Sequence, residues 1–400
     1  MSEKFQGYLR ADGRKGIRNT IVVAYLVECA HFVATKIAAD FDDSDVQVIG
    51  FPGCFPNEYA ARMMERLCTH PNVGAVLFVS LGCESFDKVR ASNAVSVSGR
   101  PVETLVIQRS GGTTKTVETG RAWVRKTLDE IAKVERAPMG VEDLVIGTIC
   151  GGSDGTSGIS GNPAAGKAFD LLIAEGAACI FEETGEMISC EDIMAERAMT
   201  PELGEELRAA VQKAEQYYDT LGYGSFAAGN AAGGLSTIEE KSLGAYVKSG
   251  DNRISGLIKP GDVPPTGGLY LMDVVPDGEV RFGFPNISDN AEIVEMIASG
   301  AHVTLFVTGR GSVVGSAISP VIKICANPDT YRALADDMDV NAGDIIEGKR
   351  SIVEVGQEIR DLVVNVAKGA ETKSEALGHR EFILTYKTFE PIGPSCLPAV

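Results

Sequence analysis

Short apolar runs at residues 21–27, 46–51, 73–81 and 103–108 predict strands, and each is followed by a stretch with apolar positions at helical spacing. The helices expected between them cover 30–39, 57–68 and 116–136. Strand and helix alternating in this way imply βαβ units and a mainly parallel sheet. A polar stretch at 134–140 interrupts the pattern, which resumes with a strand at 145–149 and helices at 164–175 and 200–219. A Gly/Ser/Pro-rich region follows at 222–268, then an apolar run at 267–273, a helix at 291–299 and a strand at 303–307. The expected architecture is α/β and Rossmann-like, with mainly parallel sheets and flanking helices in two domains, 1–137 and 138–400.

Three of these strands end on a thiol. Gly53-Cys54, Gly82-Cys83 and Cys150-Gly151-Gly152 each close an apolar run and precede a helix start. Ligands of open α/β sheets bind beyond the carboxyl ends of the strands, so Cys54, Cys83 and Cys150 are candidate metal ligands brought together from distant positions. Thiolates select iron or zinc over magnesium. The loop after Cys150 runs through Ser153, Asp154, Ser157 and Ser160 to Asn162-Pro163, read as the cap and first residue of a helix. Bare amides at that helix start, with Ser153 and Ser157, suit a carboxylate or sulfonate. The run from Gly161 to Lys167 has the spacing of a phosphate-binding loop, but Ala168 replaces the hydroxyl that would hold magnesium.

Two cationic segments are further candidates for anion binding. Arg310 stands between glycines after the strand at 303–307, where a guanidinium can clamp a carboxylate. Arg10, Asp12, Arg18 and Asn19 lie in a glycine-interrupted block just before the first long strand.

A formal net charge of −18 over 400 residues disfavours nucleic acid and anionic membranes as partners. No apolar stretch approaches the ~20 residues that span a bilayer, and the first residues do not read as a signal peptide, so a cytoplasmic protein is expected. Nine cysteines without a CxxC pair argue against a zinc ribbon, and thiols in a reducing compartment remain free. Of the four histidines, His31 is the candidate for chemistry, whereas His70, His302 and His379 read as structural.

Taken in order, Gly7-Tyr8-Leu9-Arg10-Ala11-Asp12-Gly13-Arg14 with Arg18-Asn19, Ser80-Leu81-Gly82-Cys83, Cys150-Gly151-Gly152-Ser153-Asp154, Asn162-Pro163, Gly229-Asn230 and Phe306 to Gly311 resemble the altronate/galactarate dehydratase family. The resemblance spans nearly the whole chain. It implies elimination of water from polyhydroxy carboxylates, usually with ferrous iron, and relatives of that kind expel sulfite from (2R)-sulfolactate. The sugar-acid enzymes carry a small domain ahead of the Gly-Tyr-x-Arg-Ala-Asp-Gly block, which begins here at Gly7. That departure implies a separate small subunit and an oligomer, an arrangement similar to the family's sulfo-lyases. The context of Cys54 also departs from the sugar-acid pattern and makes a shorter hydroxy acid plausible.

Removing a proton α to a carboxylate builds an enediolate-like dianion, which requires cationic or metal stabilisation. Iron held by Cys54, Cys83 and Cys150 meets that need, either as Fe2+ or as an iron–sulfur cluster with one open iron. Lys241 and His31 are the candidate bases, since desolvation can leave an amine or imidazole neutral. The resemblance puts an acidic residue at Glu186, as metal ligand or acid. The alternative from another class is a non-catalytic subunit that binds an anionic metabolite.

Overall fold

The computed structural model describes residues 4–42, 44–222, 225–278, 288–384 and 386–387. Strands β1 (Phe5–Leu9) and β2 (Lys15–Gly16) lead into a parallel sheet of β3 (Thr20–Tyr25), β4 (Val46–Gly50), β5 (Val73–Ser80) and β6 (Val102–Val106), ordered β4-β3-β5-β6. The polar segment at 134–140 contributes β7 (Arg136–Met139), which returns to pair antiparallel with β1. The second half forms a seven-stranded sheet from β8 (Val145–Cys150), β9 (Ala178–Phe181), β10 (Ile254–Ile258), β11 (Gly268–Met272), β12 (Val303–Thr308), β13 (Val321–Cys325) and β14 (Val340–Asn341). Its order is β10-β11-β9-β8-β12-β13-β14, with every pairing parallel. The α/β class with parallel sheets and flanking helices therefore matches the expectation.

Strands covered on both faces read as unbroken apolar runs. All eight residues of β5 are buried, as are all residues of β9, β11, β12 and β13. One apolar layer joins the two parallel sheets. Phe51, Met63, Met64 and Leu67 from the first half meet Ile293, Met296, Ile297 and Phe306 from the second. The helices Glu58–Cys68 and Asp289–Ala298 make much of this contact.

The N-terminal block works as a seam. Arg10 donates to Pro71 O, Asn19 Oδ1 and Arg18 O, and Asn19 donates in turn to Ile131 O. Asp12 pairs with Arg14. Arg18 spans to Glu375 and to the carbonyls of Val366 and Ala370. The fork geometry that suits arginine to anions suits it equally to clustered carbonyls.

His302 sits in the same seam. Its Nδ1 accepts from the Val145 N–H at 3.1 Å and its Nε2 faces Lys15 O at 2.9 Å, which fixes the neutral tautomer. Burial pushes its pKa down to about 4, and burial also lowers His70, whose ring lies 5.9 Å away. An unfolded chain protonates histidine near its ordinary ~6.5, whereas the folded chain resists until about 4. Stability from His302 is therefore full above ~6.5 and falls as the pH drops toward 4, by about 3 kcal/mol. Urea unfolding at pH 7 and pH 4.5 is expected to show this loss, and His302→Gln is expected to fall less steeply over that interval.

Candidate active site

In the seven-stranded sheet the chain runs from β8 to one side, through β9, β10 and β11, and then returns with β12 on the other side of β8. The carboxyl ends of β8 and β12 therefore flank a topological switch point, where open α/β sheets bind ligands. Cys150 ends β8 and Thr308 ends β12. The Gly151 N–H donates to Val307 O and the Arg310 N–H to Gly152 O, so the two loops continue the ladder. A side chain at Gly151 would put its Cβ 1.9 Å from Asp289 Oδ2, so glycine there admits a carboxylate to the loop.

Cys150 is buried. Its Sγ lies 3.4 Å from Glu183 Oε2 and 3.3 Å from Glu186 Oε2, while Lys248 Nζ approaches the sulfur at 3.3 Å. Lys248 also pairs with Glu183, and Lys241 pairs with Glu186 and donates to Ser225 O at 2.6 Å. The carboxylates come from the turn after β9, where Glu182 and Glu183 precede the 3₁₀ turn Thr184–Glu186. Glu183 adopts φ 75°, a left-handed conformation rare for a side-chain-bearing residue and frequent at functional sites. Lys241 comes from the helix Ile238–Tyr246, and Lys248 from the 3₁₀ turn Val247–Ser249 that continues it.

Burial, reinforced by Glu186, pushes the Cys150 thiol up to about 11, so without a metal it is protonated at neutral pH. Burial opposes the charge on Lys241, but Glu186 outweighs it and holds the ammonium above its ordinary range. Asp289 is raised to about 6 by burial and the charge of Glu186. Glu292 rises to about 8, chiefly by burial, and Glu182 rises with it. Burial likewise keeps the Tyr218 hydroxyl protonated. These groups surround a cavity of about 290 Å3 lined by Glu183, Glu186, Tyr218, Lys241, Asp289 and Glu292 among others.

Ligand atoms of Cys150, Glu183 and Glu186 lie within 4.8 Å of one another, so this buried group could hold a metal ion. Among the described residues, no such group includes Cys54 or Cys83. Both are exposed, and they follow β4 and β5 of the other sheet, whereas Cys150 belongs to the seven-stranded one. His31 is also exposed on that other sheet's margin, with Nδ1 3.0 Å from Glu28.

Of the other sequence candidates, Glu186 and Lys241 line the cavity, and Ser153, Asp154, Ser157, Asn162 and Arg310 do not. They bond to one another and to neighbouring loops instead. Asp154 accepts from Thr156 N–H and from Asn327, and Ser157 Oγ accepts from the Asp154 N–H. Ser153 O accepts from Asn230, and Arg310 donates to Gly229 O. Asn162 is not the helix cap that its sequence suggests. The helix Gly161–Ala174 starts two residues before Pro163, with Ser160 at the cap position, and Asn162 instead donates to Gly244 O at 2.8 Å. Arg18 and Asn19 line a separate cavity of about 710 Å3. That space is larger, but the Arg18 guanidinium is consumed by Glu375 and carbonyls, and among the described residues no three metal-ligating side chains converge there.

Sequence reasoning missed Glu182, Glu183, Lys248, Asp289 and Glu292. The signal available was the acidic pair at the end of the apolar run Ala178–Phe181, another strand ending at the same sheet edge.

Residues 7–132 match the family model for the D-galactarate dehydratase/altronate hydrolase second domain, and residues 141–389 match that for the D-galactarate/altronate dehydratase C-terminal region. The chain is 31% identical to the (2R)-sulfolactate sulfo-lyase subunit beta of Chromohalobacter salexigens, covering 95% of this chain and 97% of that protein. It is 30% identical to the altronate dehydratase of Bacillus subtilis, over 95% and 77% of the two chains. Identity is also 30% to the galactarate dehydratase (L-threo-forming) of Escherichia coli, over 91% and 73%. With both halves matched and relatives aligned along nearly its full length, this chain belongs to the D-galactarate/altronate dehydratase family and is an enzyme of the lyase class.

Proposed function

We propose that this chain is the large subunit of a metal-dependent lyase that eliminates sulfite or water from a 2-hydroxy carboxylate, such as (2R)-sulfolactate or a sugar acid. The observation that carries the reading is the buried Cys150–Glu183–Glu186 group beside a cavity that also presents Lys241 and Asp289. Its near-full-length similarity to a protein named as a β subunit supports a separate small partner and an oligomeric enzyme. All eight described cysteines are unbridged, in keeping with a reducing, cytoplasmic setting. No described helix is long and apolar enough to cross a membrane.

Ferrous iron fits the donor set. One thiolate and two carboxylates favour a borderline metal over magnesium, and a single thiol at the group favours a mononuclear ion over a cluster. When bound, iron supplies Lewis-acid polarisation of a substrate oxygen. Lys241 Nζ, fixed by Glu186 and Ser225, presents a permanent positive charge to the substrate carboxylate. Asp289 is the proton acceptor that the cavity offers. A carboxyl poised near 6 is ionised at neutral pH and becomes a stronger base than an ordinary aspartate. The Tyr218 hydroxyl stays protonated and serves as a neutral donor.

Metal binding must displace the Cys150 proton, so affinity rises with pH below the thiol pKa of about 11, approaching tenfold per unit. Titration with Co2+ at pH 6.5 and 8.5 checks this through the thiolate-to-cobalt charge-transfer band. Cys150→Ser is expected to abolish the band, and a band that survives it places the metal elsewhere.

Asp289→Asn is expected to lower kcat by about 10²–10⁴ with Co2+ binding retained. The wild-type rate should fall as pH drops below about 6, where Asp289 protonates. Activity within threefold of wild type in Asp289→Asn rules out this base. Both are measured by sulfite or keto-acid release with the small subunit present. Ligand binding that persists without metal and without turnover would instead favour the binding-subunit alternative.

A further inference from the structure

Glu183 belongs to two groups of converging ligands. One is Cys150–Glu183–Glu186, and the other is Glu182–Glu183–Glu292, whose carboxylate oxygens also lie within 4.8 Å of one another. All three members of the second group are buried. Side chains alternate between faces along a strand, and just after β9 Glu183 leaves that pattern with a left-handed backbone.

Two features separate this group from an ordinary buried acidic cluster. The first is an orphaned atom. Glu182 is fully buried, its Oε2 accepts the Glu183 N–H at 2.5 Å, and its Oε1 has no hydrogen-bond partner among the described residues. A buried carboxylate oxygen without a partner carries a desolvation cost that a cation removes. The second is how Glu183 divides its contacts. The Cys150 N–H, the Cys150 thiol and Lys248 all meet Oε2, so among the described residues its bonds fall on the Cys150 side. None of these contacts falls on Oε1. The nearby Lys387 is already committed to Glu295, at 2.7 Å.

We propose that Glu182, Glu183 and Glu292 form a second cation site, for a hard divalent ion such as Mn2+ or Mg2+, with Glu183 bridging it to the metal at Cys150. The inference rests on the metal site of the proposed function. An all-oxygen donor set suits a hard cation, with water completing its shell, whereas the thiolate group suits a softer one. Carboxylate-bridged metals stand about 3.5–4 Å apart, a separation at which two ions can share one substrate.

The test uses the full chain, stripped of metal and titrated anaerobically with Mn2+ alone, with bound metal counted and the EPR spectrum recorded. The expected result is two equivalents per chain and a spectrum of two coupled Mn2+ ions. Glu292→Gln is expected to reduce this to one equivalent with an isolated-ion spectrum, and Glu292→Asp to restore part of the second. Thermal unfolding of metal-free Glu292→Gln should match that of the metal-free parent, which ties the lost equivalent to the site. One equivalent that vanishes in Cys150→Ser and is untouched by Glu292→Gln overturns the second site and leaves the proposed function standing. No bound Mn2+ in the parent chain overturns the second site, and only the further absence of the Co2+ charge-transfer band overturns the proposed function.

Discussion

Two ammonium groups held out of water beside a thiol and four carboxyl groups form the constraint around which the second half is built. Lys248 is fully buried and Lys241 nearly so, and each is stabilised by a specific partner, Glu183 and Glu186. Charges in such a setting are tolerated only when paired, because the desolvation penalty is several kcal/mol per ion. Removing either lysine would strand a carboxylate, and removing a carboxylate would strand a lysine. The left-handed backbone at Glu183, itself costing about 1–3 kcal/mol, persists because this network over-determines it. The glycines after Cys150 belong to the same requirement, since a Cβ at Gly151 would collide with Asp289.

The parallel strands and most helices were legible because apolar runs and helical spacing are local signals. The strand-end position of Cys150 was legible for the same reason. What local signals lack is the assignment of a strand to a sheet. Cys54, Cys83 and Cys150 end strands of similar appearance, yet the first two follow β4 and β5 of the four-stranded sheet and the third ends β8 of the seven-stranded one. A rule about the carboxyl edge of one sheet therefore gathers Cys150 with the turn after β9, not with the other thiols.

The acidic residues of the site were hidden by their own chemistry. Glu182, Glu183, Asp289 and Glu292 look like solvated charges in a chain of net charge −18, and Lys248 stands in a Gly/Ser/Pro-rich stretch that predicts loop. Their burial, partial at Asp289, is a tertiary fact. The opposite error is equally physical: Arg10, Arg18 and Asn19 resemble an anion site, and the fold spends them on backbone carbonyls and Glu375. A cation cluster before a strand signals a need for acceptors, and the sequence does not say whether those acceptors are ligand or chain.

That seam bears on how the protein is made. Arg18 reaches Glu375 across 357 positions, and the β1–β7 sheet is bounded by residues that meet β8 and His302. During synthesis the four-stranded sheet can assemble early, but its arginine must wait for almost the entire chain to emerge before its acceptors exist. Until then a half-buried cation and an apolar sheet face stand open, which makes the nascent first half the segment most in need of protection from association.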